Sequence, residues 1–227
     1  MLPVKSKAAS MQNVGVEKSA TNIRFEARRA ELVASAAKLF AERGYHATSM
    51  ADITETAGLQ RGGIYHYINS KSDLLYMIHE NVIAPLADEL HAIEERADPP
   101  AFALRQLAHA FLGSISSHNE EVRVVLHEWK AIEENPDWER IRAGRRALEQ
   151  IVERVLQRGV DEGVFDVADI RLASMAFLNM LNHSYTWYDP AGRWPAELVA
   201  DEFSDIFLGG IETMRRRRHT VSSASTK

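Results

Sequence analysis

Arg61, Tyr65, His66 and Lys71 place two cations, a phenol and an imidazole within eleven residues, beside the glycine pair Gly62-Gly63. All four side chains can donate hydrogen bonds to phosphate oxygens or base edges, and an arginine fork on guanine N7 and O6 gives about 1–3 kcal/mol of discrimination. The glycines let a polyanion's backbone approach closely, at a helix cost of about 1 kcal/mol each relative to Ala. Catalysis finds little to work with. The stretch His127-Glu128-Trp129-Lys130-Ala131 fails the H-E-x-x-H zinc motif at Ala131, and no G-x-S-x-G, phosphate loop or dinucleotide fingerprint occurs. The nine histidines are scattered; a site assembled in space, such as His127 with Glu128, stays as an alternative. The expectation is a chain with no catalytic residue, no metal and no cofactor.

Such donors need a scaffold that holds one short helix across another with a face left open. Ser49 and Asp52 form an S-x-x-D capping box that opens a short helix, and Ala57-Gly58-Leu59 closes it about two turns later. A second short helix over residues 60–67 follows almost without a linker. Ile53, Ala57, Leu59 and Ile64 supply the packed side, which leaves Arg61, Gly62, Gly63, Tyr65 and His66 on the other. Upstream, a helix runs from about Asn22, with Val33, Ala36, Ala37 and Phe40 at helical spacing, until Gly44 ends it. Downstream, Ser70-Lys71-Ser72-Asp73 caps a long helix over about 71–96, which Asp98-Pro99-Pro100 breaks. Further helices are expected over about 100–117, 120–134, 136–162, 169–188 and 195–218. About nine helices and no convincing strand make the class all-α, a three-helix N-terminal head on a helical body.

Composition sets the outer bounds. Hydrophobic residues at 45% and charged residues at 26% of 227 are ordinary for a globular chain and exclude a disordered one. The absence of cysteine removes disulfides, thiolate metal sites and a cysteine nucleophile. No secretory h-region and no run of eighteen apolar residues occur, so a cytoplasmic chain without a membrane partner is expected. A net charge of −5 argues against a polyanionic partner until its distribution is read. Residues 1–72 carry ten Lys/Arg against six acids, +4, and the remainder carries −9. The domain reading is a flexible arm over 1–21, a head over 22–72, a body over 73–218 and a disordered tail over 219–227. Met1 and Met11 both stand as starts.

Three strings lie in order across this head: Ala36-x-x-Leu39-Phe40-x-x-x-Gly44-Tyr45-x-x-Thr48-Ser49, Asp52-Ile53-x-x-x-Ala57-Gly58, and Tyr65-x-Tyr67-Ile68-x-Ser70-Lys71-x-x-Leu74. Over residues 24–76 the chain resembles the N-terminal domain of TetR-family transcriptional repressors, departing at Ile68, where phenylalanine is usual. The resemblance implies a homodimer on a near-palindromic double-stranded DNA operator, released by a small-molecule effector. It also implies that Thr48 and Ser49 meet phosphate, that Arg61, Gly62 and Gly63 face the bases, and that Tyr65, His66 and Lys71 hold the DNA backbone or flanking bases. Tyr67 stands between a DNA contact and the core.

In the body, Leu172–Leu181 is apolar on nearly every side, and Val199, Phe203, Ile206, Phe207, Gly210 and Met214 recur along the last helix. Both suit a two-fold helical interface, with Gly209-Gly210 allowing close approach, or an ordinary core. His183 and Trp187, at i and i+4, and Tyr188 are ligand-site candidates, or pack on the loop Asp189-Pro190-Ala191-Gly192. The string from Asn182 to Gly192, followed by Phe207-Leu208-Gly209-Gly210-Ile211, resembles the TetR branch that controls fatty-acid and steroid degradation, which implies an acyl-CoA effector. Phe111, Leu112, Leu126, Trp129 and Met180 line a cavity or form plain core, and Arg145-Arg146 meets a CoA phosphate or water. Two rivals stand beside this reading. One is a helical enzyme carrying such a head, the other an effector-independent DNA binder.

Overall fold

A computed structural model of the chain describes residues 8–60 and 62–212. Among the described residues it contains nine α-helices, two 3-10 turns and no strand, the all-α class expected. In order these are α1 (Ala8–Arg43), α2 (Met50–Thr56), a 3-10 turn (Gly63–His66), α3 (Lys71–Glu95), α4 (Pro100–Ser117), α5 (Asn119–His127), α6 (Trp129–Glu133), α7 (Trp138–Asp161), α8 (Ile170–Asn182), a second 3-10 turn (His183–Thr186) and α9 (Ala196–Ile211). The chain divides into two compact units, Met1–Val82 with Glu120–Ile141, and Ile83–Asn119 with Arg142–Lys227. The first unit thus includes Glu120–Ile141, a segment expected in the body.

In the first unit, α1 buries Leu32, Val33, Ala36, Ala37, Leu39 and Phe40, the spacing read from sequence. It begins at Ala8, well before Asn22. Adding residues to an existing helix avoids the nucleation cost, so a segment with no apolar stripe of its own can still be helical. Of the expected arm, residues 1–7 lie outside the described residues, as do the tail 219–227 and Met214. The capping box of α2 is present in full, with Ser49 Oγ accepting from Asp52 N at 3.2 Å and Asp52 Oδ2 accepting from Ser49 N at 2.7 Å. Ser49 Oγ also donates to Asp52 Oδ2 at 2.6 Å, and that bond, followed by the one from Ser49 N, holds the Asp52 carboxyl below its ordinary value. At α3, Ser70 Oγ accepts from Asp73 N at 3.0 Å and Asp73 Oδ2 accepts from Asn69 N at 3.0 Å.

Three expected helices differ. Where a helix over 60–67 is expected, Gly63–His66 form a 3-10 turn, with Gly63 N bonded to Gln60 O and Tyr65 N to Gly62 O. Gly62 is left-handed at φ 89°, which an α-helix cannot continue through. The expected 120–134 helix splits into α5 and α6 at Glu128, whose ψ is 38°. The expected 169–188 helix stops at Asn182, and the 3-10 turn that follows puts i and i+3, not i and i+4, on one side.

In the second unit, α4 buries Leu104, Leu107, Phe111, Leu112 and Ile115, and α9 buries Val199, Ala200, Ser204 and Leu208. Arg105 pairs with Asp205, and His109 Nε2 lies 2.9 Å from Asp201 Oδ1. Rising numbers on α4 meet falling numbers on α9, so the two helices run antiparallel. Phe165, 3% exposed, lays its ring on Gly159 of α7 where a Cβ would stand. Gly159→Ala gains about 1 kcal/mol of helix propensity but drives a methyl into a ring that cannot swing out, a cost of about 1–3 kcal/mol or more. A lower urea midpoint than wild type is expected, and an equal or higher midpoint would contradict this packing.

Candidate nucleic-acid interface

The head is organised around the corner between α1 and α2. Gly44, at φ 85°, ends α1, and its N–H donates to Phe40 O at 2.9 Å. Thr48 Oγ1 donates to Gly44 O at 2.9 Å. Lys71 Nζ donates to Tyr45 O at 2.8 Å and Thr48 O at 2.9 Å, and sits 4.2 Å from the centre of the Tyr45 ring. Burial lowers the Lys71 pKa from its ordinary value. It also raises that of the Tyr45 phenol, with the Glu134 charge acting the same way. Phe40 meets Tyr45 edge-on, with ring centroids 5.1 Å apart.

One implied role is corrected by this geometry. Thr48 is 1% exposed and its hydroxyl is spent on a helix-end carbonyl, so the side chain caps α1 instead of meeting phosphate. The ammonium of Lys71 has two carbonyls and a ring as partners, so it holds the protein's own corner.

The outward residues follow from the turn. Ser49, Gly62, Tyr65 and His66 are exposed, Tyr65 at 59%. Gly63 is half-buried, with open space where a Cβ would stand. Ile53, Ile64 and Ile68 are buried on the opposite side, so Ile68 fills the core position where phenylalanine is usual. Tyr67 stacks on Phe25 of α1 at 5.0 Å. Arg61 lies outside the described residues. A residue absent from the sequence reading, Arg28, donates to Ala57 O at 2.7 Å and to Gly58 O at 3.4 Å, tying α1 to the end of α2. A basic residue on the first helix was its only sequence signal.

The ligand candidates of the second unit separate. Phe111 and Tyr188 are buried, Met180 is half-buried, and His183 is exposed with its ring edge-on to Tyr185 at 6.5 Å. The expectation that His183 and Trp187 share a helix face is corrected, because α8 has ended before them. The Trp129 side chain lies outside the described residues. Trp187, 46% exposed, lines an open cleft of about 320 Å³ with Trp194, Leu198, Val199, Glu202 and Phe203. Its ring is edge-on to Trp194 at 6.5 Å, Phe203 at 6.1 Å and Tyr188 at 6.3 Å. Trp194 and Glu202 carried no sequence signal for this cleft. Arg146 is held by Glu149 at 2.8 Å and Glu153 at 3.0 Å, while desolvation lowers the Arg145 pKa to about 10. Among the described residues no group of three His, Asp or Glu could hold a metal ion, and no helix is long and apolar enough to cross a membrane.

Residues 32–76 match the model of bacterial regulatory proteins of the tetR family, and residues 97–211 match that of the tetracyclin repressor-like C-terminal domain. The chain is 28% identical over 193 residues to the HTH-type transcriptional repressor KstR2 of Mycolicibacterium smegmatis, covering 85% of this chain and 94% of that one. The structure of the ketosteroid transcriptional regulator KstR2 of Mycobacterium tuberculosis is similar, with a TM-score of 0.77 and 29% identity, covering 82% of this chain and 96% of that one. So is that of PfmR from Thermus thermophilus, with a TM-score of 0.72 and 32% identity over 78% of this chain and 97% of that one. AibR in complex with isovaleryl coenzyme A and operator DNA shares the fold at a TM-score of 0.71 and 24% identity, covering 79% of this chain and 97% of that one. With a tight corner that presents Ser49 and Tyr65 outward and both family models matched, the chain belongs to the TetR family of helix-turn-helix transcriptional repressors.

Proposed function

We propose that this repressor acts in the cytoplasm as a homodimer on a near-palindromic operator and leaves it when a small apolar effector, an acyl-CoA, binds the body. Ser49, Arg61, Gly62, Gly63, Tyr65 and His66 face the DNA, with 22–72 as the DNA-binding domain and 73–218 as the effector and dimer domain. Two recognition elements on one face of B-DNA must lie about 34–36 Å apart, so the protein has to be two-fold.

The observation that carries the proposal is an apolar stripe exposed along α8 and α9. Leu172 is 65% exposed, Met175 48%, Leu198 45% and Ile206 65%. Gly209 and Gly210 continue it, each with open space at its Cβ position. Two glycines inside a helix cost about 1 kcal/mol each relative to Ala, a cost that a closely approaching second α9 offsets. The cleft beside Trp187 then takes the apolar end of an effector. Its carboxylate, Glu202, favours placing an effector's phosphates elsewhere, and Arg193, near the Trp194 ring at 5.7 Å, is the cation beside the cleft.

Ile206→Asp sets a charge on that stripe, and sedimentation should then give a monomer of wild-type helicity; an intact dimer would place the interface elsewhere. Against a duplex selected from a random pool by the wild-type protein, Arg61→Ala should bind at least about tenfold more weakly and still dimerise. Unchanged affinity would remove Arg61 from the base-reading set. Trp187→Ala should lose the thermal stabilisation that a series of saturated acyl-CoAs gives the wild type while binding the duplex normally. An undiminished shift would take Trp187 out of the ligand site.

A further inference from the structure

The α1–α2 corner is gripped from a second direction. Lys71 takes its carbonyls, but the amide of Tyr45 donates to Glu128 Oε1 at 3.0 Å, a residue far along the chain. The same oxygen lies 3.4 Å from where a Cβ at Gly44 would stand, so this carboxylate sits against the corner's left-handed glycine. Glu128 is half-buried and is itself the break between α5 and α6, at φ −86° and ψ 38°, with no cap bond from its side chain to α6. Its charge partly offsets the desolvation of Lys71 across the corner. The segment that follows continues the grip: Asn135 Nδ2 donates to Ser72 O at 2.9 Å, and Arg140 lies over the Tyr76 ring at 5.0 Å. Glu128 falls within the stretch matched by the C-terminal family model, yet its hydrogen bond is to the head.

We propose that Glu128 is a positioning residue for operator binding: by holding the Tyr45 amide, it fixes the corner that aims α2 and the 3-10 turn. The inference rests on the operator-binding reading above. Charge and position make opposite predictions here. A carboxylate in a DNA-binding unit repels the duplex, so on charge alone its removal strengthens binding. Removing a positioning acceptor instead weakens binding, and an uncharged acceptor of the same length restores it.

Affinity for the selected duplex is measured as a function of salt, together with hydrogen exchange at the Tyr45 amide, for the full chain. Glu128→Ala is expected to bind about tenfold more weakly, to exchange Tyr45 faster, and to keep the wild-type slope of log affinity on log salt, since no phosphate contact is lost. Glu128→Gln is expected to stay near wild type in both readouts. Glu128→Asp keeps the charge but falls a methylene short and is expected to behave like Glu128→Ala, which keeps the test decisive should the alanine variant unfold. Wild-type or tighter binding by Glu128→Ala, or by Glu128→Asp where the alanine variant unfolds, overturns the proposal, as does equal weakness of Glu128→Gln and Glu128→Asp. Failure of the wild type to select any duplex would instead sink the operator-binding reading.

Discussion

Where α1 gives way to α2, the carbonyls of Tyr45 and Thr48 lie outside both helices, and Tyr45 O has a long turn bond from Thr48 N at 3.3 Å. A desolvated carbonyl short of donors costs about 1–3 kcal/mol, which a further donor at this corner relieves. The ammonium of Lys71 is that donor, from the first residue of α3, with its remaining direction toward the Tyr45 ring. One residue thereby ties the end of the first helix, the entry to the second and the start of the third. The tripod also explains why the ammonium stays in a partly desolvated place, since every donor has an acceptor. Arg28 repeats the principle at the other end of α2 by donating to Ala57 O. The exposed faces of Ser49, Tyr65 and His66 depend on these two cations, whose charge still contributes to the field a duplex would meet.

A different constraint shapes the second unit. Helix α9 must bury Val199, Ala200, Ser204 and Leu208 against α4 while leaving Leu198 and Ile206 outside. Asp201 and Asp205 lie between these faces and are turned toward α4 by His109 and Arg105. At the N-terminal end of the same helix, Leu198 and Glu202 join Trp187 and Trp194 in the aromatic cleft.

The parts legible in sequence are those governed by rules acting within a few residues. Ser49 with Asp52 and Ser70 with Asp73 are caps in both readings, Gly44 ends α1, and Pro100 opens α4. Helical spacing found the core of α1 because burial follows periodicity directly. What escaped was set by partners distant in sequence or by turn type. Thr48 carries a DNA expectation because a motif records that a residue recurs, not which way its hydroxyl points. The 3-10 turns at Gly63–His66 and His183–Thr186 left an apolar pattern that a short α-helix would also show. Trp194 and Phe203 are separated by a helix start, so only the packing of α9 brings their rings toward Trp187.

An effector can empty an operator only by preferring the conformer that binds DNA badly; moving an equilibrium from 1:99 to 99:1 takes about 5.5 kcal/mol of preference. Two places in the described residues already lack a regular helical bond. Pro85 lies inside α3 and has no N–H, so the carbonyl of Asn81 lacks its helical donor just where the chain changes units between Val82 and Ile83. The break at Glu128 is the other such place, between two short helices that share no cap bond from its side chain. Both lie on segments that hold the corner, one through Lys71 and one through the Tyr45 amide. On the release proposed above, a ligand that changes the pitch of either segment would pull on the corner. On the same reading, a ligand that filled the aromatic cleft equally well in both conformers would leave the DNA where it was.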